Sequence, residues 1–307
     1  MDELFTRYMY FERAKQGNKS STTEALRKFY EKNSYSLLKK ESTFENLVQL
    51  ADFWDDVSKQ NEDRFSDKVL KRLFVLNYAP NGMWTYFVSV YFMTNKDDEG
   101  KLNDERFYRF LLNMTAFVWA YAVTNPGVNA LRTPIFAEMA NIVNGQDVTY
   151  ADYKFDRETT RSAFEIYSFT NVRPITKSML AWWAFQNPNQ ALIPLDTVFE
   201  IGHIFPKSRQ DKDKSLSDSK KLEFLGNKSM LEKRINIRAS DYRFDDKKKY
   251  YRGYTNNRNQ KKEATQINEL ISLTYESEDF TETEIDARNR KILDSFMDFL
   301  AACNLLK

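Results

Sequence analysis

A chain of 307 residues that is 42% hydrophobic and 15% aromatic has enough apolar material to bury a substantial core, and the usual domain size predicts two domains. Its 46 Lys and Arg nearly balance 44 Asp and Glu, a net charge of +2, so the total excludes neither an acidic nor a basic partner and the distribution has to be read instead. The single cysteine, Cys303, excludes an intramolecular disulfide and suits a reducing compartment, so cytoplasm is the expectation.

In chain order, the N-terminal MDELFTRYMYFERAK has no apolar core of signal-peptide type. Ser42-Thr43-Phe44-Glu45 matches a capping box, and Phe44, Leu47, Leu50, Ala51 and Trp54 then recur at helical spacing, predicting an amphipathic helix. Val69, Leu70, Leu73 and Phe74 repeat that stripe, as does Tyr108 to Tyr121. The most apolar run, Leu111 to Val123, is interrupted by Asn113 and Thr115 and falls short of the roughly 20 residues a bilayer span needs, so it reads as a buried core helix and no membrane association is expected. Thr133-Pro134 offers a cap and a proline at the first helical position, Ile135 to Val143 the helix body, and Gly145 a stop. Arg173-Pro174, Asn187-Pro188 and Ile193-Pro194 punctuate an aromatic helix containing Trp182 and Trp183. A domain transition placed there gives a helical domain over 1–170 and a second domain over 171–307. Beyond it, Thr197 to Ile201 has strand character, Gln210 to Lys221 is a charged serine-rich loop, and Phe224 to Ile235 is a strand or a short ordered loop. Helix returns from Asp245 through Tyr251 and again from Glu284 to Leu300.

Between Lys207 and Glu263 stand 18 Lys and Arg against 9 Asp and Glu, a surplus of nine that leaves a net −7 elsewhere. The positive field follows FEIGHIFPKSRQ, which holds the only histidine, His203. One histidine and one cysteine exclude zinc fingers and two-histidine zinc proteases, and a Cys-His pair requires Cys303 to fold back on His203. Eight glycines form neither G-x-x-x-x-G-K-[ST] nor G-x-G-x-x-G, so no nucleotide cradle is visible. A lone general base beside a divalent ion held by oxygen ligands stays open, since Mg²⁺ needs only one or two carboxylate or carbonyl oxygens from a protein. An amide, Asn227 or Asn236, can bond one ring nitrogen or ligate a hard cation. The residues alone leave His203 either structural or catalytic.

His203-Ile204-Phe205-Pro206-Lys207, then Leu225 to Glu232 with Gly226-Asn227, then Asn236, then Phe244 to Tyr251, resemble the HNH nuclease domain of GmrSD-type modification-dependent restriction endonucleases. The order H…G-N-x-x-[LM]-L-x-x-x-x-N…F-x-x-K-K is specific in combination, and its nine-residue step from Asn227 to Asn236 is also that of the HNH domain in CRISPR effector nucleases. Phe280 to Ile285, with Arg288 and Arg290, resembles the closing helix of the family, and Asn125 to Val143 resembles its helical region. The resemblance implies a mainly α chain with a small α+β nuclease domain of the ββα-metal, HNH type. It further implies DNA phosphodiester hydrolysis in a restriction or phage-defence setting.

The roles it implies are His203 as the base that deprotonates water, Asn227 as the residue orienting its ring, and Asn236 with Glu200 as ligands of one Mg²⁺ or Mn²⁺. Glu200 enters because Gly202 stands where the family often has an acidic ligand, and residues two apart on a strand share a face. Lys207, Arg209, Lys233, Arg234, Lys247, Lys248 and Arg252 are the expected contacts to a DNA backbone, in which modified phage DNA is included. The family's nucleotide-dependent domain, with its D-G-Q-Q-R-type motif, is absent, so a longer chain or a partner subunit is expected to supply it. With Gly202 in a ligand position, a catalytically weak module that binds DNA or a partner is the alternative.

Overall fold

A computed structural model describes residues 1–17, 24–127 and 129–307; Val128, inside the Asn125 to Val143 stretch, lies outside the described residues. The described chain divides into two compact units, one made of Met1–Asp156 with Ala302–Lys307 and one of Arg157–Ala301.

The first unit is built from α1 (Asp2–Lys15), α2 (Leu26–Tyr35), α3 (Glu41–Ser58), α4 (Asp67–Leu76), α5 (Met83–Asn95), α6 (Asp104–Thr124) and α7 (Arg132–Val143). In α5, Phe87, Val88, Val90 and Phe92 are all fully buried, which an apolar helix with no polar face requires. Aromatic pairs join the helices and the segment after α7: Phe53 stacks on Phe92 at 4.3 Å, Tyr91 on Phe110 at 4.1 Å and Phe117 on Tyr150 at 3.8 Å between ring centroids. The run from Leu111 to Val123 is the buried heart of α6. Among the described residues no helix is long and apolar enough to cross a membrane.

Two helix starts differ from the sequence pattern. The chain is already helical before Ser42, because the Thr43 and Phe44 N–H groups both donate to the Lys40 carbonyl; the capping-box residues therefore lie inside the first turn of α3, and Thr43 is buried. Likewise α7 begins at Arg132, which puts Pro134 third in the helix, still within the turn whose N–H groups have no helical partner. Gly145, at φ +73°, ends that helix as expected. The C-terminal segment Ala302–Lys307 belongs to this unit: the Phe155 N–H donates to the Leu305 carbonyl and the Lys307 N–H to the Phe155 carbonyl, both at 2.9 Å.

The second unit contains α8 (Arg157–Ile166), α9 (Pro174–Ala184), β1 (Phe199–His203), α10 (Lys207–Asp213), β2 (Lys228–Glu232), α11 (Lys233–Ala239), α12 (Phe244–Arg252), β3 (Tyr254–Thr255), β4 (Lys261–Lys262), α13 (Asn268–Glu276) and α14 (Glu282–Ala302). The molecule is thus mainly α with a small α+β part. Its two sheets are the antiparallel pairs β1–β2 and β3–β4. In the first, Phe199 faces Glu232, Ile201 faces Met230 and His203 faces Lys228. Between these strands, where a loop was expected, the chain forms α10 and single 3₁₀ turns at Ser219–Glu223 and Leu225–Asn227. β2 runs without a break into α11, so strand, strand and helix follow one another through the motif residues.

α14 explains why the turn before β2 carries glycine. A Cβ on Gly226 would lie 2.1 Å from the Ile285 carbonyl oxygen and 2.7 Å from the Asn289 nitrogen, so only a bare Cα lets this helix approach. Arg288 then clamps the turn, donating from one terminal nitrogen to the carbonyls of Leu225, Gly226 and Lys228 at 2.8–3.0 Å and from the rest of its fork to Glu269. Burial works to raise the Glu269 carboxyl, but the Arg288 guanidinium overrides it and holds that carboxyl below its ordinary range.

Candidate active site

His203 ends β1, and the two residues after it are pinned by Asn227. The fully buried Asn227 amide accepts from the Phe205 N–H at 2.7 Å, donates to the Phe205 carbonyl at 3.2 Å and to the Leu222 carbonyl at 3.3 Å, and its own carbonyl accepts from Ile204. Asn227 therefore fixes the backbone beside the histidine, whereas the expectation was a bond to the ring. A second clamp comes from α12, where Lys247 is only 2% exposed and donates to the His203 and Ile204 carbonyls. Burial pushes the Lys247 ammonium down to about 8. This corrects the reading of Lys247 as a phosphate contact: its ammonium is turned inward onto two carbonyls of the backbone that carries His203.

The ring itself is met by residues the sequence reading did not single out. Lys228 Nζ lies 2.7 Å from His203 Nε2, and Glu223 Oε1 lies 3.5 Å from the same nitrogen. Lys228 also donates to Glu223 Oε2 at 2.6 Å and to Asn171 Oδ1 at 2.9 Å. Burial pushes the imidazole from 6.5 down to about 4, and the neighbouring Lys228 ammonium adds to that against the opposing pull of Glu223. The ring therefore stays unprotonated at neutral pH. Burial likewise lowers Lys228, opposed by Glu223, while desolvation works to raise Glu223 and the bond to Lys228, together with the charges of Lys228 and Lys207 and the His203 ring, holds it below its ordinary range. The register His203–Lys228 is the signal that leads to Lys228, but it appears only once both strands and their alignment are fixed.

On the other face of β1, Glu200 and Asn236 come together. Asn236, in the middle of α11, donates from Nδ2 to Glu200 Oε2 at 3.0 Å, and Lys233 Nζ lies 3.8 Å from Glu200 Oε1. The Asn236 carbonyl oxygen points at Gly202: a Cβ there would sit 2.6 Å from Oδ1 and 3.0 Å from Ser229 Oγ. Gly202 has no positive φ, so its role is to leave room for this oxygen. A carboxylate and an amide oxygen on one face are hard donors of the kind Mg²⁺ takes, and two suffice because the ion keeps most of its waters. Among the described residues no three His, Cys, Asp or Glu cluster closely enough to hold a metal.

The remaining basic residues divide by exposure. Lys207 and Lys233 have side chains 56% and 57% exposed, and Arg234 is exposed beside them. Arg209 is largely buried, paired with Asp279 at 2.7 Å. Lys248 pairs with Asp245 and donates to the Glu278 carbonyl, and Arg252 donates to Thr274. Of the tyrosines, Tyr251 is fully buried, while Tyr250 stacks on Tyr242 at 6.0 Å and meets Tyr254 edge-on.

Residues 150–295 match the family of GmrSD restriction endonucleases, C-terminal domain. The match contains every residue of the arrangement just described. No curated protein and no solved structure matches the chain.

Proposed function

We propose, from the match of residues 150–295 to the C-terminal domain of GmrSD restriction endonucleases, that this protein is a metal-dependent, HNH-type DNA endonuclease with His203 as its general base. The observation that carries the proposal is the support built around that one imidazole: Asn227 and Lys247 fix its backbone, and its ring is kept unprotonated, the form a base must have. Two oxygen donors, Glu200 and Asn236, meet on the opposite face of the same strand.

In this reading Glu200 and Asn236 would hold one Mg²⁺ or Mn²⁺, which supplies polarisation of the phosphoryl oxygens and stabilises the leaving oxygen. His203 would take the proton of the attacking water. Asn227 and Lys247 keep the imidazole from drifting, since a misplaced base loses much of its effect. Lys207, Lys233 and Arg234, exposed beside these groups, would position the DNA backbone, giving affinity without sequence information. Modified phage DNA as the preferred substrate, and a nucleotide-dependent partner domain, follow from the family reading.

The test is cleavage of duplex DNA with Mg²⁺ or Mn²⁺ by the protein and by His203→Ala. The variant should lose on the order of 10² to 10⁴ in rate, the usual contribution of a general base, while binding DNA as before. Equal cleavage by the two proteins would overturn the assignment of His203. A second reading, a module that binds DNA without cutting, is favoured by one observation, the Lys228 nitrogen resting against Nε2. It predicts salt-sensitive DNA binding and no metal-dependent nicking.

A further inference from the structure

His203 and Lys228 are register partners at the end of the β1–β2 pair, so both side chains leave on one face of the sheet. The Lys228 side chain has no exposed surface, and its nitrogen meets three groups: Asn171 Oδ1, Glu223 Oε2 and His203 Nε2, at 2.9, 2.6 and 2.7 Å. An ammonium has three N–H donors and no lone pair. Two of the donors go to oxygens that can only accept, so the third points at Nε2. That nitrogen must present its lone pair, and a neutral ring then carries its proton on Nδ1. No protein group among the described residues bonds Nδ1. A ring so arranged has no lone pair open to a water, whichever side the water approaches.

We propose that Lys228 is a positioning residue that latches His203 in the Nδ1–H tautomer with Nε2 occupied, holding back the base until the Lys228 N–H leaves Nε2. The inference rests on the reading of His203 as the general base. The alternative arrangement is already provided for. Glu223 Oε1, 3.5 Å from Nε2, can accept an Nε2–H, which frees the Nδ1 lone pair for a water proton. Going from one arrangement to the other moves one proton from Nδ1 to Nε2 through solvent and turns one lysine N–H aside; no group changes its net charge. The other charged groups around the ring are Lys207, 3.4 Å from Glu223 Oε1, and Lys247, bonded to the His203 carbonyl. The low basicity of the ring comes first from its burial, with the Lys228 and Lys207 ammonium groups adding to it.

Because His203 is the only histidine, ¹⁵N-histidine labelling of the full chain gives a single imidazole to follow. In the wild-type protein at pH 7 the ring should be the Nδ1–H tautomer, with a protonation midpoint near 4. Lys228→Met removes the donor at similar length. It should move the ring toward the Nε2–H form, raise the midpoint by one unit or more, and speed Mg²⁺-dependent cleavage at pH 7 by about tenfold, part of what a freed base supplies. An Nε2–H ring in the wild type, or an unchanged tautomer and midpoint in Lys228→Met, overturns the latch. Should Lys228→Met fail to fold, the wild-type tautomer decides alone. Release of the ring with no cleavage by either protein would uphold the latch and overturn the nuclease reading.

Discussion

At the scale of single residues, His203 makes the stability of the fold depend on pH in a direction fixed by its depressed basicity. Above pH 6.5 neither the folded nor the unfolded chain protonates the ring, and the two do not differ. As the pH falls from 6.5 toward 4, only the unfolded chain takes the proton, so stability falls by about 1.4 kcal/mol per unit. Urea midpoints at pH 7, 6 and 5 should show this slope, and His203→Gln should flatten it; a slope unchanged in that variant would belong to carboxylates. A second expectation concerns Gly202. Gly202→Ala places a methyl against Asn236 Oδ1 and should break the Asn236–Glu200 bond, raising the Mg²⁺ concentration needed for half-maximal cleavage while leaving DNA affinity in place. Gly202→Asp meets the same crowding, so it gains a carboxylate only by displacing the amide. His203, Glu200 and Asn236 were singled out by the motif's resemblance and by the alternation of a strand, and the structure brings two of them, Glu200 and Asn236, together. Lys228, Glu223 and the inward Lys247 were not: a lysine in sequence looks solvated, and only strand register and helix packing turn it onto a ring or a carbonyl.

At the scale of elements, the periodic helices were legible and the irregular connection was not. α4 and α6 follow stripes that a 3.6-residue repeat makes plain, and β1 follows its β-branched and aromatic run. The turns between β1 and β2 depend on partners far along the chain. Arg288 on α14 satisfies three carbonyls there, and Glu282 on the same helix accepts from the Ser217 N–H and from Lys221. α14 is thus the wall against which the motif turn is shaped. Arg288→Met should cost about 3–5 kcal/mol, because it leaves the Glu269 carboxylate buried without its partner and three carbonyls unmet. Thermal unfolding measures this, and a shift of only a degree or two would mean that water replaces the guanidinium at no loss.

At the scale of the whole molecule, the near-zero net charge hides a basic stretch, and the structure sorts its members. Removing an exposed cation such as Lys233 should reduce the slope of log K for DNA against log[salt] by about 0.9 and leave the melting temperature almost unchanged. Lys247→Met should do the reverse, since its ammonium faces the protein interior. Filter binding over a range of salt, paired with melting curves, distinguishes the two classes.

The chain crosses between its units twice, at residue 156 going out and at residue 302 coming back, and the returning segment bonds to Phe155. During synthesis on a ribosome the helical unit therefore waits, with its edge at Phe155 open, until every residue of the second unit has been made. The second unit is complete in sequence before the first. Order of birth and order of completion are reversed for the two halves, and a nascent chain stalled before residue 302 would hold a finished second unit on an unfinished helical one.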